Sequence, residues 1–278
     1  MKISDPLPWR DVLTNEGTHT ITGDVRIFNA FPIIQLQIER RIWIYLPGSY
    51  NIGERRYPVI YMQDGQNVFD QATSWGTEWG VDETLSQMGL ENPSLEAIVV
   101  AVDHGGKERN NEYNFTVNDE YGFGGKGEAY TAFLAETLKP YIDKHFRTRP
   151  EPEHTTIAGS SFGAYIALYT AIRYPEQFGR VGGISFVMWH DNGAMMQLIQ
   201  NSVLSPALRV YLSIGGQETD NPEFNKTAYE HVELARQTLI AAGVPEDRVR
   251  FDAVPEGTHH ESTWSMLFPE AHRWLLQP

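Results

Sequence analysis

The sequence predicts an α/β domain: a mostly parallel central sheet with helices on both faces. Three observations carry this. Short, continuous apolar runs at 57–62 and 95–102 read as strands covered on both sides. They alternate with segments of ten or more residues at helical spacing, which is the pattern of parallel strands joined by crossover helices. Finally, 278 residues that are 41% apolar, with no internal repeat, low-complexity tract or linker-like stretch, suit one large core. A single domain over 1–278 is therefore expected, with an N-terminal extension over about 1–18 and a long excursion over 103–127.

Taken in order, residues 20–28 and 35–46 alternate as half-buried strands do and end at Pro47-Gly48, an antiparallel entry to the sheet. The buried run 57–62 ends in Asp64-Gly65-Gln66-Asn67. Residues 79–88 can form a helix, and 95–102 is the next buried strand. The excursion 103–127 has no clear period and is rich in Gly, Asn and aromatics, a character that compact domains keep for function. Tyr130, Phe133, Leu134, Leu138, Tyr141 and Ile142 sit at helical spacing, so 128–146 is read as one amphipathic helix. A short strand at 154–158 follows, then a helix from Ala164 to Ile172. Strands at 181–186, 208–214 and 250–254 and helices at 226–242 and 262–276 complete the alternation.

Composition narrows the function. A net charge of −14 leaves no basic footprint for nucleic acid or an anionic membrane and favours a neutral or cationic small molecule. Zero cysteines exclude disulfides, thiolate metal sites and a cysteine nucleophile. No apolar stretch near the N-terminus, which carries Met1, Lys2, Arg10, Asp11 and Glu16, has the length of a signal peptide, and no run spans a bilayer, so a cytoplasmic protein is expected. No metal site or cofactor motif is evident. His259-His260 lacks ligand spacing, and no zincin motif occurs. The sequence leaves the oligomeric state open.

The chemistry centres on Gly159-Ser160-Ser161-Phe162-Gly163, between the strand at 154–158 and the helix that follows. A serine in a sharp strand-to-helix corner needs neighbours without bulk two residues to either side, and Gly159 and Gly163 supply that room. Ser161 is thus the candidate nucleophile. In a sheet of this kind chemistry sits beyond the carboxyl ends of the strands. The strand at 208–214 runs into Gly215-Gly216-Gln217-Glu218-Thr219-Asp220, and the strand at 250–254 into Gly257-Thr258-His259-His260. A serine hydroxyl becomes nucleophilic when an imidazole takes its proton, and a carboxylate on the other ring nitrogen holds the required tautomer. His259 is read as the base, with His260 as the alternative; Glu218 is read as the acid, with Asp220 as the alternative. The chain order Ser, acid, His is that of the α/β-hydrolases. Donors for a developing oxyanion are expected from the backbone N–H of Phe162 and of Gln66, with Asp64 turned away to brace the loop.

Several stretches carry a resemblance. Tyr57-Pro58-Val59-Ile60-Tyr61-Met62-Gln63-Asp64-Gly65-Gln66-Asn67-Val68-Phe69-Asp70, Leu138-Lys139-Pro140-Tyr141-Ile142-Asp143, Arg147-Thr148-Arg149-Pro150 with His154-Thr155, and Gly159-Ser160-Ser161 resemble an esterase group of the α/β-hydrolases. That group takes in esterase D-like, feruloyl, acetylxylan and enterochelin esterases. Gly257-Thr258-His259 followed by Trp264 is similar to its histidine motif and favours His259 over His260. The chain departs from the group at Phe162-Gly163-Ala164, where Met-Gly-Gly is common, at Gln63-Asp64-Gly65 in place of His-Asp-Gly, and at Ser185-Phe186 in place of Ser-Pro.

Phe186, Met188, Trp189, Met195 and Met196 follow one strand, and Tyr113, Phe115, Tyr121 and Phe123 decorate the excursion; a lining of this kind suits an apolar acyl or aryl group. Phe162 and Phe186 add bulk, so short acyl chains are expected to fit best. The reading that follows is a serine carboxylesterase acting on short or medium acyl esters, aryl and carbohydrate-linked esters included, through an acyl-enzyme. Two others stand beside it: an acyltransferase of the same fold, and a catalytically silent binding module.

Overall fold

The computed structural model describes residues 3–14 and 17–277. Met1, Lys2 and Glu16, used above to read the N-terminus, lie outside the described residues. The N-terminal extension is more than an appendage. It supplies β1 (Leu7–Pro8) and α1 (Trp9–Val12), and β1 pairs antiparallel with β2 (Asp24–Ile33) at the edge of the sheet. β2 pairs antiparallel with β3 (Ile38–Leu46), as the alternating pattern requires. β2 begins at Asp24 and not at Thr20, because the backbone N–H of Thr20 and of Thr22 donate to the carboxylates of Asp70 (3.2 Å) and Asp82 (2.6 Å) and are withdrawn from strand pairing.

β4 (Val59–Gln63) is followed by α2 (Val81–Glu91) and β5 (Ile98–Val102), and both strands are buried throughout. The excursion is ordered by α3 (Arg109–Glu112) and by a small hairpin of β6 (Val117–Asn118) and β7 (Phe123–Gly124). The expected single helix over 128–146 is divided: α4 (Gly127–Ala132) passes through a π turn (Phe133–Leu138) into α5 (Lys139–His145). Pro140, at the start of α5, cannot donate a backbone hydrogen bond to the preceding turn, which accounts for the change of ladder there.

β8 (Thr155–Ser160) leads into α6 (Phe162–Arg173) and β9 (Arg180–Ile184). A helix the periodicity did not announce, α7 (Ala194–Asn201), follows; it buries Met195 in the core and packs Met196 against it, so neither is a loop residue. β10 (Arg209–Gln217), α8 (Pro222–Ala241), β11 (Val249–Thr258) and α9 (Glu261–Leu275) complete the chain. α8 starts four residues before the apolar pattern suggests, because Asn221 caps it by accepting from the N–H of Glu223 (3.0 Å) and Phe224 (3.3 Å), with Pro222 behind.

The nine-stranded sheet runs β1-β2-β3-β5-β4-β8-β9-β10-β11, antiparallel up to the β3–β5 pair and parallel from β5 onward. Apolar residues of α1, α2 and α9 form the core on one face, and those of α5, α6, α7 and α8 form it on the other. Fully burying one such side chain is worth about 1.5–3 kcal/mol. With parallel strands, the loops after β4, β8, β10 and β11 all emerge at one edge, and this collects the candidate residues. Among the described residues no helix is long and apolar enough to cross a membrane.

The fastening of the entry segment has a pH signature. Asp82 is fully buried, and burial, with Glu83 alongside, pushes its carboxyl from the ordinary 3.8 up to about 8. The fold therefore favours the protonated form. The associated stability is complete below about pH 4 and is lost as the pH rises toward 8. Asp82→Asn keeps an acceptor for Thr22 and cannot ionise, so its melting temperature relative to wild type should rise between pH 4 and pH 8 in calorimetry. A pH-independent difference would contradict the assignment.

Candidate active site

Ser161 stands between β8 and α6 at φ 55°, ψ −126°, a strained conformation for a residue with a side chain, and its N–H donates to the Ile184 carbonyl at 3.0 Å. The two glycines have a measurable reason. A Cβ at Gly159 would lie 2.7 Å from the Gly163 carbonyl carbon, and one at Gly163 would crowd Gln63 and Asp64 at 3.1–3.2 Å. Gly159→Ala must move backbone, and about 1–3 kcal/mol of stability should be lost in denaturant unfolding; a loss below about 0.5 kcal/mol would show that the corner is not tight. Phe162 opens α6, so its N–H lies in the first turn and has no acceptor one turn back within the helix.

The loop after β10 places Glu218 against the loop after β11. Glu218 Oε2 lies 2.5 Å from His259 Nδ1, and Oε1 accepts from the Gly215 N–H at 2.6 Å and from Ser185 Oγ at 2.8 Å. Ser185 Oγ in turn accepts from Trp264 Nε1 at 2.9 Å, and the Trp264 ring meets His259 edge to face at 5.4 Å. The carboxylate is thus buried with three donors around it, and the imidazole retains Nε2 for other partners. Asp220 is exposed on a different surface hollow, and His260 caps α9, where Nδ1 accepts from the Ser262 N–H at 3.2 Å. The structure therefore joins Glu218 to His259 and leaves the two alternatives apart from each other and from Ser161.

After β4 the chain turns at Asp64, which adopts the left-handed region at φ 57°. Its carboxylate receives Arg109 as a fork, Nε to Oδ1 at 2.7 Å and Nη2 to Oδ2 at 2.8 Å, and its N–H donates to Tyr113 Oη at 3.1 Å. Burial opposes the charge of Arg109, but the Asp64 carboxylate outweighs it and holds the guanidinium above its ordinary value. Gln66 is tied down on two sides: Oε1 accepts from the His104 N–H at 3.1 Å and the carbonyl from Thr73 Oγ1 at 2.7 Å. Asp64 braces this loop through Arg109 and Tyr113, but it is not turned clear of the corner as expected: Oδ2 lies 3.2 Å from where a Gly163 Cβ would stand, and its partner Arg109 walls the Ser161 cavity.

Ser161, Phe162, Glu218 and His259 open onto one cavity of about 320 Å³, whose other walls include Arg109, Trp189, Ile214 and Phe224. Of the aromatic and Met residues read from sequence as its lining, Trp189 lies on it. Phe186 and Met188 line an adjoining cavity. Tyr113 is fully buried beneath the Asp64 loop, with Arg109 over its ring, and Phe123 packs behind Phe162 with ring centroids 5.5 Å apart. Sequence reasoning missed Arg109 and the part played by Ser185. Ser185 follows the end of β9, so the carboxyl-end rule that selected the other loops would have found it; Arg109 lies in the excursion, where no periodic signal exists.

A strained serine and an imidazole held by a buried carboxylate, on one apolar cavity, form an arrangement suited to acyl transfer. Comparison with known families agrees: the model of the family described as Putative esterase matches residues 34–275. The chain belongs to this esterase family. This esterase is 26% identical over 243 residues to the Bacillus subtilis protein "Uncharacterized protein YbbA", covering 85% of the chain and 92% of the relative. It is 28% identical over 229 residues to the "Endo-1,4-beta-xylanase/feruloyl esterase" of Xylanibacter ruminicola, covering 80% of the chain and 27% of that longer protein. The solved enterobactin esterase FES of Shigella flexneri superposes with a TM-score of 0.71 at 19% identity, over 94% of this chain and 60% of that one. The fold is that of the α/β-hydrolases, and the chain is an ester hydrolase.

Proposed function

We propose that this esterase is a serine carboxylesterase working through an acyl-enzyme, with Ser161 as nucleophile, His259 as general base and acid, and Glu218 as the carboxylate that orients and stabilises the imidazole. The observation that carries the reading is the 2.5 Å contact of His259 Nδ1 with buried Glu218, on the same cavity as Ser161. Ser161 Oγ attacks the ester carbonyl carbon while His259 Nε2 takes its proton. The negative charge that develops on the carbonyl oxygen is met by the N–H of Phe162 and of Gln66, donors of a kind worth ~10²–10³ in rate each. As the tetrahedral intermediate collapses, the bond to the alcohol oxygen breaks and His259 returns the proton to it. Water then repeats the sequence on the acyl-enzyme, releasing the acid and restoring Ser161.

A fluorophosphonate probe tests this directly. It should label wild type once, on the peptide that carries Ser161, in step with loss of ester hydrolysis, and should leave Ser161→Ala unlabelled. Inactivation with the label on another residue, or hydrolysis that persists in fully labelled protein, would refute the assignment.

A further inference from the structure

Resting on the reading of Ser161, His259 and Glu218 as a unit, we infer that Trp264 is a positioning residue of the reaction. Acting through Ser185, it fixes which oxygen of Glu218 is presented to His259. Trp264 lies in the first turn of α9, and Ser185 lies just past β9, 79 residues earlier. Both are buried, and so is Glu218. An indole Nε1–H can only donate, and an ionised carboxylate can only accept. Between them, Ser185 Oγ accepts from Trp264 at 2.9 Å and gives its single proton to Glu218 Oε1 at 2.8 Å. The direction of the chain is therefore set at the indole.

Oε1 also takes the Gly215 N–H at 2.6 Å, so Oε2 is the oxygen left for His259 Nδ1. Ser185 adopts φ 46°, a left-handed backbone that side chains disfavour and that marks functional positions. A donor to its hydroxyl polarises the O–H and strengthens the bond that it gives to the carboxylate. The Trp264 ring makes a second contact, edge to face on His259. The ring packs, and the N–H orients.

Benzothienylalanine in place of Trp264 separates the two, since it keeps the bicyclic ring and carries sulfur where the N–H was. kcat and KM for p-nitrophenyl acetate are measured on wild type, this sulfur variant, Ser185→Ala and the double variant. Ser185→Ala should lower kcat about tenfold, as the loss of a hydrogen bond to a charged group does, with KM within about twofold. The sulfur variant alone should lower kcat about three- to tenfold, and less than about twofold further on the Ser185→Ala background, because its effect passes through a hydroxyl no longer there. A sulfur variant with wild-type kcat, or losses that multiply in the double variant, would overturn the inference. Proton NMR of the same four proteins is the second readout. The His259 Nδ1–H held by a carboxylate gives a downfield resonance, identified by its absence from His259→Ala. It should move in the sulfur variant, and in the double variant no further than in Ser185→Ala. If Glu218→Gln keeps full activity, the triad reading fails instead, and this resonance alone decides: the stated shifts support the Trp264-Ser185-Glu218 chain, and a resonance that is unmoved, or missing from wild type, refutes it.

Discussion

Ser161→Ala is expected to lower kcat/KM for p-nitrophenyl ester hydrolysis by at least ~10³ while the protein keeps its melting temperature within a few degrees. The neighbouring Ser160→Ala should stay within about tenfold of wild type. The contrast is geometric. Ser160 is the last residue of β8, paired in register with Ile184 and only 3% exposed, whereas Ser161 occupies the strained corner and opens onto the cavity. The substitution at Ser161 removes the atom that becomes acylated; the one at Ser160 removes a hydroxyl inside the strand. Comparable losses from the two, at comparable stability, would show that the corner does not select the nucleophile.

The second large effect concerns Glu218 and His259 as a unit. Glu218→Gln retains an oxygen for the Gly215 N–H and Ser185 Oγ but turns an amide toward His259 Nδ1, which disfavours the tautomer needed and withdraws the charge that stabilises the imidazolium. Substrate binding should change little and kcat should fall by about 10²–10⁴. His259→Ala should cost at least as much. Because each residue acts through the other, the double variant should be hardly worse than His259→Ala, whereas independent sites would multiply their losses. Asp220→Asn and His260→Ala are the controls, each expected within about tenfold in rate. His260→Ala should also lower stability by about 0.5–2 kcal/mol, since it removes the cap of α9. A multiplicative double variant would dissolve the unit, and a damaging Asp220→Asn would move the acid two residues along the loop.

What the sequence by itself determined is whatever depends on short-range pattern. Burial on both faces is written into continuous apolar runs, so β4 and β5 are legible; helical spacing is written into α6, which is buried all round, and into α8 and α9; and the need for a sharp corner at Ser161 is written into the two glycines beside it. The rule that chemistry lies past the carboxyl ends of parallel strands then narrowed the acid and the base to two short loops. Within each loop the sequence reading prefers Glu218 and His259, the latter on a resemblance; the fold shows which side chain points across to a loop some forty residues away. Glu218 is drawn inward by the Gly215 N–H, Ser185 and His259, and among the described residues Asp220 has no such partners facing it. Arg109 escaped notice for the same reason: its link to Asp64 spans 45 residues from an aperiodic excursion, and nothing local marks it. The cavity walls were the least legible of all. Phe123, Tyr113 and Phe186 have the composition of a lining, yet whether an aromatic ring faces a void or a neighbouring ring is decided by the packing of several distant elements at once, and that information exists only in the tertiary structure.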